Sequence, residues 1–157
     1  MTTQTLQRPK SPPVLDCGIP IDCQYFDRAT IVPLPPVGGT ALLARVELPP
    51  QYCGVLEFFC QYSDLFGRDR SEVLTPGLAW QLRANGQPLS PYHQLNLILN
   101  PWGCSSAPLA MRLPEGSTVE LIARRTGETV ASPGKQITLI GGRLLGRYWY
   151  NAAYGSA

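Results

Sequence analysis

Leu78-Ala79-Trp80-Gln81-Leu82-Arg83-Ala84-Asn85-Gly86 is the stretch that decides the fold class. Leu78, Trp80 and Leu82 alternate with Ala79, Gln81 and Arg83. A period of two places the apolar side chains on one face of an extended strand and the others on the opposite face. Asn85-Gly86 ends the run with two residues that tolerate positive φ, the requirement of a tight hairpin turn. The stretch therefore reads as a half-buried strand entering a hairpin.

The same cadence continues on both sides. In residues 40–48, Leu42, Ala44, Val46 and Leu48 share one face, with Arg45 and Glu47 on the other, and Pro49-Pro50 stops the strand. Residues 54–61 carry Val55 and Phe59 on one side and Leu56, Phe58 and Cys60 on the other, so this strand is expected to be covered on both faces. Residues 93–99 repeat the pattern with Leu95, Leu97 and Leu99. Leu109, Met111 and Leu113 form a short strand, and Pro114-Glu115-Gly116 turns it into 118–125, where Val119, Leu121 and Ala123 face inward. Residues 136–150 form one long strand or two, with Gly141-Gly142 and Gly146 expected at bulges or bends. Roughly seven or eight strands at about ten-residue spacing predict an all-β antiparallel β-sandwich, jelly-roll-like, over residues 37–157.

Residues 1–36 have another texture. Pro9, Pro12, Pro13, Pro20, Pro33, Pro35 and Pro36 remove backbone donors and disfavour helix at the preceding residue. The expectation is an extended, proline-rich N-terminal arm. Val14, Leu15, Ile19, Ile21, Tyr25 and Phe26 are more apolar than a linker needs, which favours an arm that orders on a neighbouring molecule over a free tail. Two further segments interrupt the cadence: 62–76, with Asp64, Phe66, Arg68, Asp69, Arg70 and Glu72, and 100–108, containing Trp102. Loops at one end of a sandwich are where binding residues concentrate.

Composition narrows the function. The chain has 157 residues, 44% of them hydrophobic and only 15% charged, against about 25% charged in an ordinary domain. A surface so poor in charge suits an assembly subunit, or a surface of neutral proline- and glycine-rich loops. The net charge of +2 and the scattered arginines do not form the clustered basic face that nucleic acid requires. No run of about 18 apolar residues exists, so no transmembrane helix is expected. Residues 1–10 carry no apolar core of a secretory signal, so folding in the cytosol is expected.

No residue pattern supports catalysis. Asp64, Asp69 and Glu72 are interleaved with Arg68 and Arg70, the arrangement of ion pairs on a solvated loop rather than of two carboxylates facing each other across a sugar. His93 is the one histidine, and no G-x-S-x-G elbow accompanies it. Gly38-Gly39 and Gly141-Gly142 open no helix and lack the Gly-Lys-Ser of a phosphate loop. Cys17, Cys23, His93 and Cys104 have the wrong local spacing for zinc. An odd total of five cysteines argues against a disulfide framework, and Cys53 and Cys60 read as small buried hydrophobes. No cofactor or metal is expected. Trp102 with Tyr62, Phe66 and Tyr92 could form a sugar-stacking platform; alternatively Trp80 and Trp149 are core and Trp102 plugs a loop. Tyr154, in the small-residue tail, is a candidate for docking onto a neighbour.

Residues 39–49, Cys53-Gly-Val-Leu-Glu-Phe-Phe59, Trp80-Gln-Leu-Arg-Ala-Asn-Gly-Gln-Pro88 with Pro91-Tyr92, Leu113-Pro-Glu-Gly-Ser-Thr-Val-Glu-Leu-Ile-Ala-Arg124 and Ile140-Gly-Gly-Arg-Leu-Leu-Gly-Arg-Tyr-Trp149 together resemble small jelly-roll virion proteins of tailed bacteriophages. The resemblance covers roughly residues 40–151 and consists of strand-and-turn phrases, with no catalytic motif. It implies a non-enzymatic cement or decoration protein of the capsid, folded in the host cytoplasm and carried in the virion. Such a protein binds the major capsid protein or other virion proteins, often as a homotrimer, and bridges capsomers. A head–tail connector or tail adaptor is the alternative within the same class, and a carbohydrate-binding module the alternative outside it. The contacts expected under this reading are Leu15, Ile19, Ile21, Tyr25, Phe26, Phe66, Arg68, Arg70, Trp102 and Tyr154.

Overall fold

The computed structural model describes residues 19–64, 77–90, 106–128, 130–131 and 135–151. Its strands are β1 (Gln24–Pro33), β2 (Thr40–Glu47), β3 (Tyr52–Ser63), β4 (Leu78–Ala84), β5 (Gln87–Pro88), β6 (Ser106–Leu113), β7 (Thr118–Arg125), β8 (Val130–Ala131), β9 (Lys135–Gln136) and β10 (Leu139–Tyr150). They form one four-stranded sheet in the order β1-β10-β3-β6, a second in the order β2-β7-β4-β5, and a small β8–β9 ribbon. All pairings are antiparallel.

The order follows from one nested hairpin. β4 pairs with β5, β3 with β6, β2 with β7 and β1 with β10. The tip of that hairpin is Asn85-Gly86, with φ of 51° and 78°, the pair of positive values that defines a type I′ turn. The Asn85 backbone N–H donates to the Thr118 carbonyl (2.8 Å), and the Thr118 N–H donates to Asn85 Oδ1 (2.9 Å), fastening the tip to β7. Rolling the nested pairs on themselves brings β10 against β3 and β7 against β4. The result is the two-sheet strand order of a jelly roll.

The two sheets bury one core between them. Trp80, Leu82, Leu43, Leu56, Leu121, Ile140 and Leu144 are fully enclosed, with Phe26, Phe59, Val46, Leu48, Leu78, Leu113 and Val119 around them. Trp80 alone removes enough apolar area to contribute on the order of 4 kcal/mol. The sheets approach closely at Gly142, where a β-carbon would lie 2.5 Å from Leu121 Cδ2 and 2.9 Å from Leu43 Cβ. Its glycine therefore serves sheet contact, not the bend expected of it. Toward one end the inner face of β3 turns polar: Gln61 and Ser63 are fully buried and their side chains have no hydrogen-bond partner among the described residues.

Two bulges revise the expected facing. The register of β2 on β7 slips between Leu42 and Ala44, making Leu43 the extra residue. Leu43 is buried and Leu42, expected inside, is 49% exposed. On β3 the register against β10 slips at Glu57, so Leu56 and Phe59 share the inner face while Val55, Phe58, Cys60 and Tyr62 line the outer one. An inserted residue shifts the parity of everything beyond it.

The expected boundary of the arm at residue 36 also moves. Gln24–Pro33 is a full strand, paired with β10 from Gln24↔Tyr148 to Pro33↔Leu139 without a break. The prolines flank this strand: Pro20 precedes it and Pro33 closes it, so residues 21–32 keep every backbone donor. β1 lies at a sheet edge, the place where a terminal proline is tolerated. The expected strand at 93–99 lies outside the described residues.

Candidate interaction face

The outer face of the β1-β10-β3-β6 sheet is where chain and exposure disagree most. Register sets its rows. Ile31, Gly141 and Tyr62 lie side by side, then Ala29, Arg143 and Cys60, then Asp27, Leu145 and Phe58, then Tyr25, Arg147 and Val55. Tyr25 is 69% exposed, Ile31 60%, Phe58 44%, and Tyr62 and Leu139 about as much as Phe58. A shallow apolar depression of about 250 Å³, lined by Phe58, Phe59, Cys60, Arg143 and Leu145, sits at its centre. Scattered apolar residues on a surface need no explanation, whereas a contiguous apolar sheet face marks a contact site.

Two arginines of β10 on this face are partnered. Arg143 Nε and Nη2 reach Asp27 Oδ1 and Oδ2 at 2.7 and 2.5 Å, a two-point pairing that fits the guanidinium fork. The hydrogen bond from Arg143 holds the Asp27 carboxyl below its ordinary range, and the same bond raises Arg143. Arg147 donates from Nε to Glu57 Oε1 at 3.0 Å and also from Nη2 to the same oxygen. That hydrogen bond raises the Arg147 pKa. The Arg147 guanidinium also lies over the Tyr25 ring, 5.9 Å from its centroid, within the range of a cation–π contact. Glu57 reaches Arg147 because it is the bulged residue of β3. With these two cations tied down, covering their part of the face strands neither charge; an unpaired buried charge is the arrangement that costs most. Arg112, level with Val55 on β6, adds an exposed cation to the same face.

At one end, Tyr52 lies 5.7 Å by ring centroids from both Tyr148 and Tyr150, on the side of the sheet opposite Arg147 and Trp149. At the other, Asp64 secures the entry to β10: its carboxylate accepts from Thr138 N (3.0 Å), Thr138 Oγ1 (2.5 Å) and Leu139 N (3.2 Å). Burial works to raise this carboxyl, and the three donors outweigh it, so its pKa is lowered. Asp64 thus acts as a structural clasp.

The residues expected to make contacts divide as follows. Tyr25 stands on the outer face and Ile21 is exposed, while Ile19 is half-buried. Phe26 is a correction: at 5% exposure it belongs to the core, because it sits on the inner side of β1, and it is not available to a partner. Leu15, Phe66, Arg68, Arg70, Trp102 and Tyr154 lie outside the described residues. Of the sugar-stacking set, Tyr62 is exposed on the outer face, and Phe66, Tyr92 and Trp102 lie outside the described residues. Trp80 is core, while Trp149, half-buried, lies on the outer side of β10 and is not. Phe58, Ile31, Leu139 and Leu145 also stand on this face and are not among the expected contacts. The available signal was the two-sided apolarity of 54–61, which requires a second covering layer.

Cys53 is buried, and burial pushes its thiol pKa up. Among the described residues, no group of three or more His, Cys, Asp and Glu side chains is placed to hold a metal ion. No protein-family model matches the chain, and no curated protein sequence matches it.

Proposed function

We propose that this chain is a non-enzymatic structural subunit of a virion, a capsid cement or decoration protein that docks on the major capsid protein through the outer face of its β1-β10-β3-β6 sheet. The observation that carries this reading is β3. Its sequence is apolar on both sides, the core covers Leu56 and Phe59, and Phe58 and Tyr62 on the other side stay exposed. A second molecule supplies the missing layer. Apolar burial repeated at many symmetric sites builds strong attachment from modest individual contacts. The resemblance to jelly-roll virion proteins and the low charge content point the same way and favour a homotrimer bridging neighbouring capsomers.

The test is co-sedimentation with shells assembled without this protein. Wild type is expected to pellet with the shells. Phe58→Lys, which places a charge in the centre of the face, is expected to lose at least tenfold in affinity while keeping its far-ultraviolet circular dichroism and melting cooperatively. Equal pelleting of the folded variant contradicts the proposal.

A further inference from the structure

The two four-stranded sheets end in the edge strands β1, β6, β2 and β5. An open edge is a template for pairing with another chain, and proteins blunt it with short strands, bulges, prolines or lysines. β5 has two residues, β2 carries the Leu43 bulge and β6 contains Pro108. β1 has none of these devices along its length. Its ten residues pair with β10 without a register shift, it holds no lysine, and its proline is the last residue. We propose that β1 pairs antiparallel with β1 of a second copy across a two-fold axis at Ala29, joining two β1-β10-β3-β6 sheets edge to edge.

The ladder identifies the open backbone groups. The Leu34 N–H donates to the Thr138 carbonyl at 2.8 Å, one step beyond the Pro33↔Leu139 pair. Bonded and non-bonded pairs alternate along an antiparallel ladder. Val32, Thr30, Arg28, Phe26 and Gln24 therefore bond to β10, while Tyr25, Asp27, Ala29, Ile31 and Pro33 turn their backbone groups away from it. Two details agree. Pro33, which has no N–H, falls on an outward position. The Asp27 carbonyl is free of the ladder and accepts from Arg28 Nη1 at 3.3 Å. Among the described residues, no strand pairs with this edge.

The open groups select the register. Across a two-fold axis the outward residues must face one another. With the axis at Ala29, Ala29 faces its own copy, Asp27 faces Ile31 and Tyr25 faces Pro33. The outward N–H groups of Tyr25, Asp27, Ala29 and Ile31 then all reach a carbonyl, and Pro33 is required only to accept. The long bond from Arg28 to the Asp27 carbonyl gives way to the Ile31 N–H. Axes at Asp27 or Arg28 set like charges directly opposite each other, which destabilises a pair. An axis at Thr30 moves Tyr25 past the end of β1, to Pro35, and loses its bond.

The strand is thus complementary to itself, which argues for a second copy as the occupant. Such an isologous contact closes: both β1 edges are consumed, and pairing there stops at two. It uses the edge of the sheet and leaves the outer face open, so it does not rest on the cement reading. A three-fold contact made elsewhere on the molecule combines with it in a dihedral assembly.

Sedimentation equilibrium of the full-length protein tests the pairing. Wild type is expected to dimerise with rising concentration. Ala29→Pro removes an outward N–H and none of the bonds to β10, a placement an edge strand tolerates. It is expected to weaken dimerisation at least tenfold while melting as cooperatively as wild type. Ala29→Glu and Ala29→Lys are each expected to stay monomeric where wild type is dimeric, and their mixture to form a mixed dimer. That rescue requires the two Ala29 positions to face each other, and it decides the matter if Ala29→Pro does not fold. No dimer up to millimolar concentration, a dimer unmoved by Ala29→Pro, or no rescue in the mixture each overturn the inference. Shell pelleting measured alongside separates the two proposals. Dimers without shell binding sink only the cement reading, and shell binding by a protein that never dimerises sinks only the inference.

Discussion

Phe26 lies directly across from Gly146 in the β1–β10 register, and its ring occupies the place a side chain at Gly146 would need. A β-carbon there would stand 2.5 Å from Phe26 Cζ and 3.0 Å from Cε1, and would press on the Val55 carbonyl as well. The contact ties β1 into the core, so β1 is part of the sandwich. Gly146→Ala is expected to lower unfolding free energy by about 1–3 kcal/mol, the usual cost of overpacking. Urea denaturation checks it, with an unchanged midpoint as the contrary result.

Neighbouring residues on β1 separate strand from arm. Phe26→Ala removes a buried ring and is expected to cost about 3–5 kcal/mol. Tyr25→Ala, next in sequence but on the exposed face, should stay within about 1 kcal/mol, allowing for the lost contact with Arg147. Paired urea curves decide this, and a small cost for both variants would return β1 to the status of an arm.

The Asp64 clasp carries a pH signature. Its folded pKa is lowered from an unfolded value near 3.9, so its stabilisation is fully present above that value. The contribution is lost as pH falls through the lowered folded pKa. Asp64→Asn should therefore be less stable than wild type at pH 7, with a gap that shrinks as pH drops below about 4. Asp27, lowered by its bond from Arg143, titrates in the same acid window and is common to both proteins. A gap that stays constant from pH 7 to pH 3 contradicts the clasp.

How far the sequence could be read depended on parity. Alternation in residues 78–83 and the Asn85-Gly86 turn placed β4 and the hairpin tip correctly, because no residue there is inserted. Leu42 and Phe58 went astray for one physical reason: a bulge at Leu43 or at Glu57 leaves composition untouched and exchanges the faces beyond it. Phe26 belongs to the core and not to an arm because the prolines flank its strand rather than interrupt it. The proposed docking face is half legible in the sequence. The two-sided apolarity of β3 was plain, yet which side stayed open depended on the sheet order and on the bulge. The partnering of Arg143 by Asp27 spans 116 positions of sequence, and local pattern holds no trace of such a contact.

The most direct test of the docking face is hydroxyl-radical footprinting of the protein free and bound to shells. Phe58, Tyr62 and Leu145 mark the proposed face, and Leu42, about as open to solvent as Phe58 but on the outer side of the opposite sheet, is the internal control. The account predicts that modification of Phe58, Tyr62 and Leu145 falls severalfold on binding while Leu42 keeps its free-state rate. Protection of Leu42 with Phe58 and Tyr62 unchanged would contradict it.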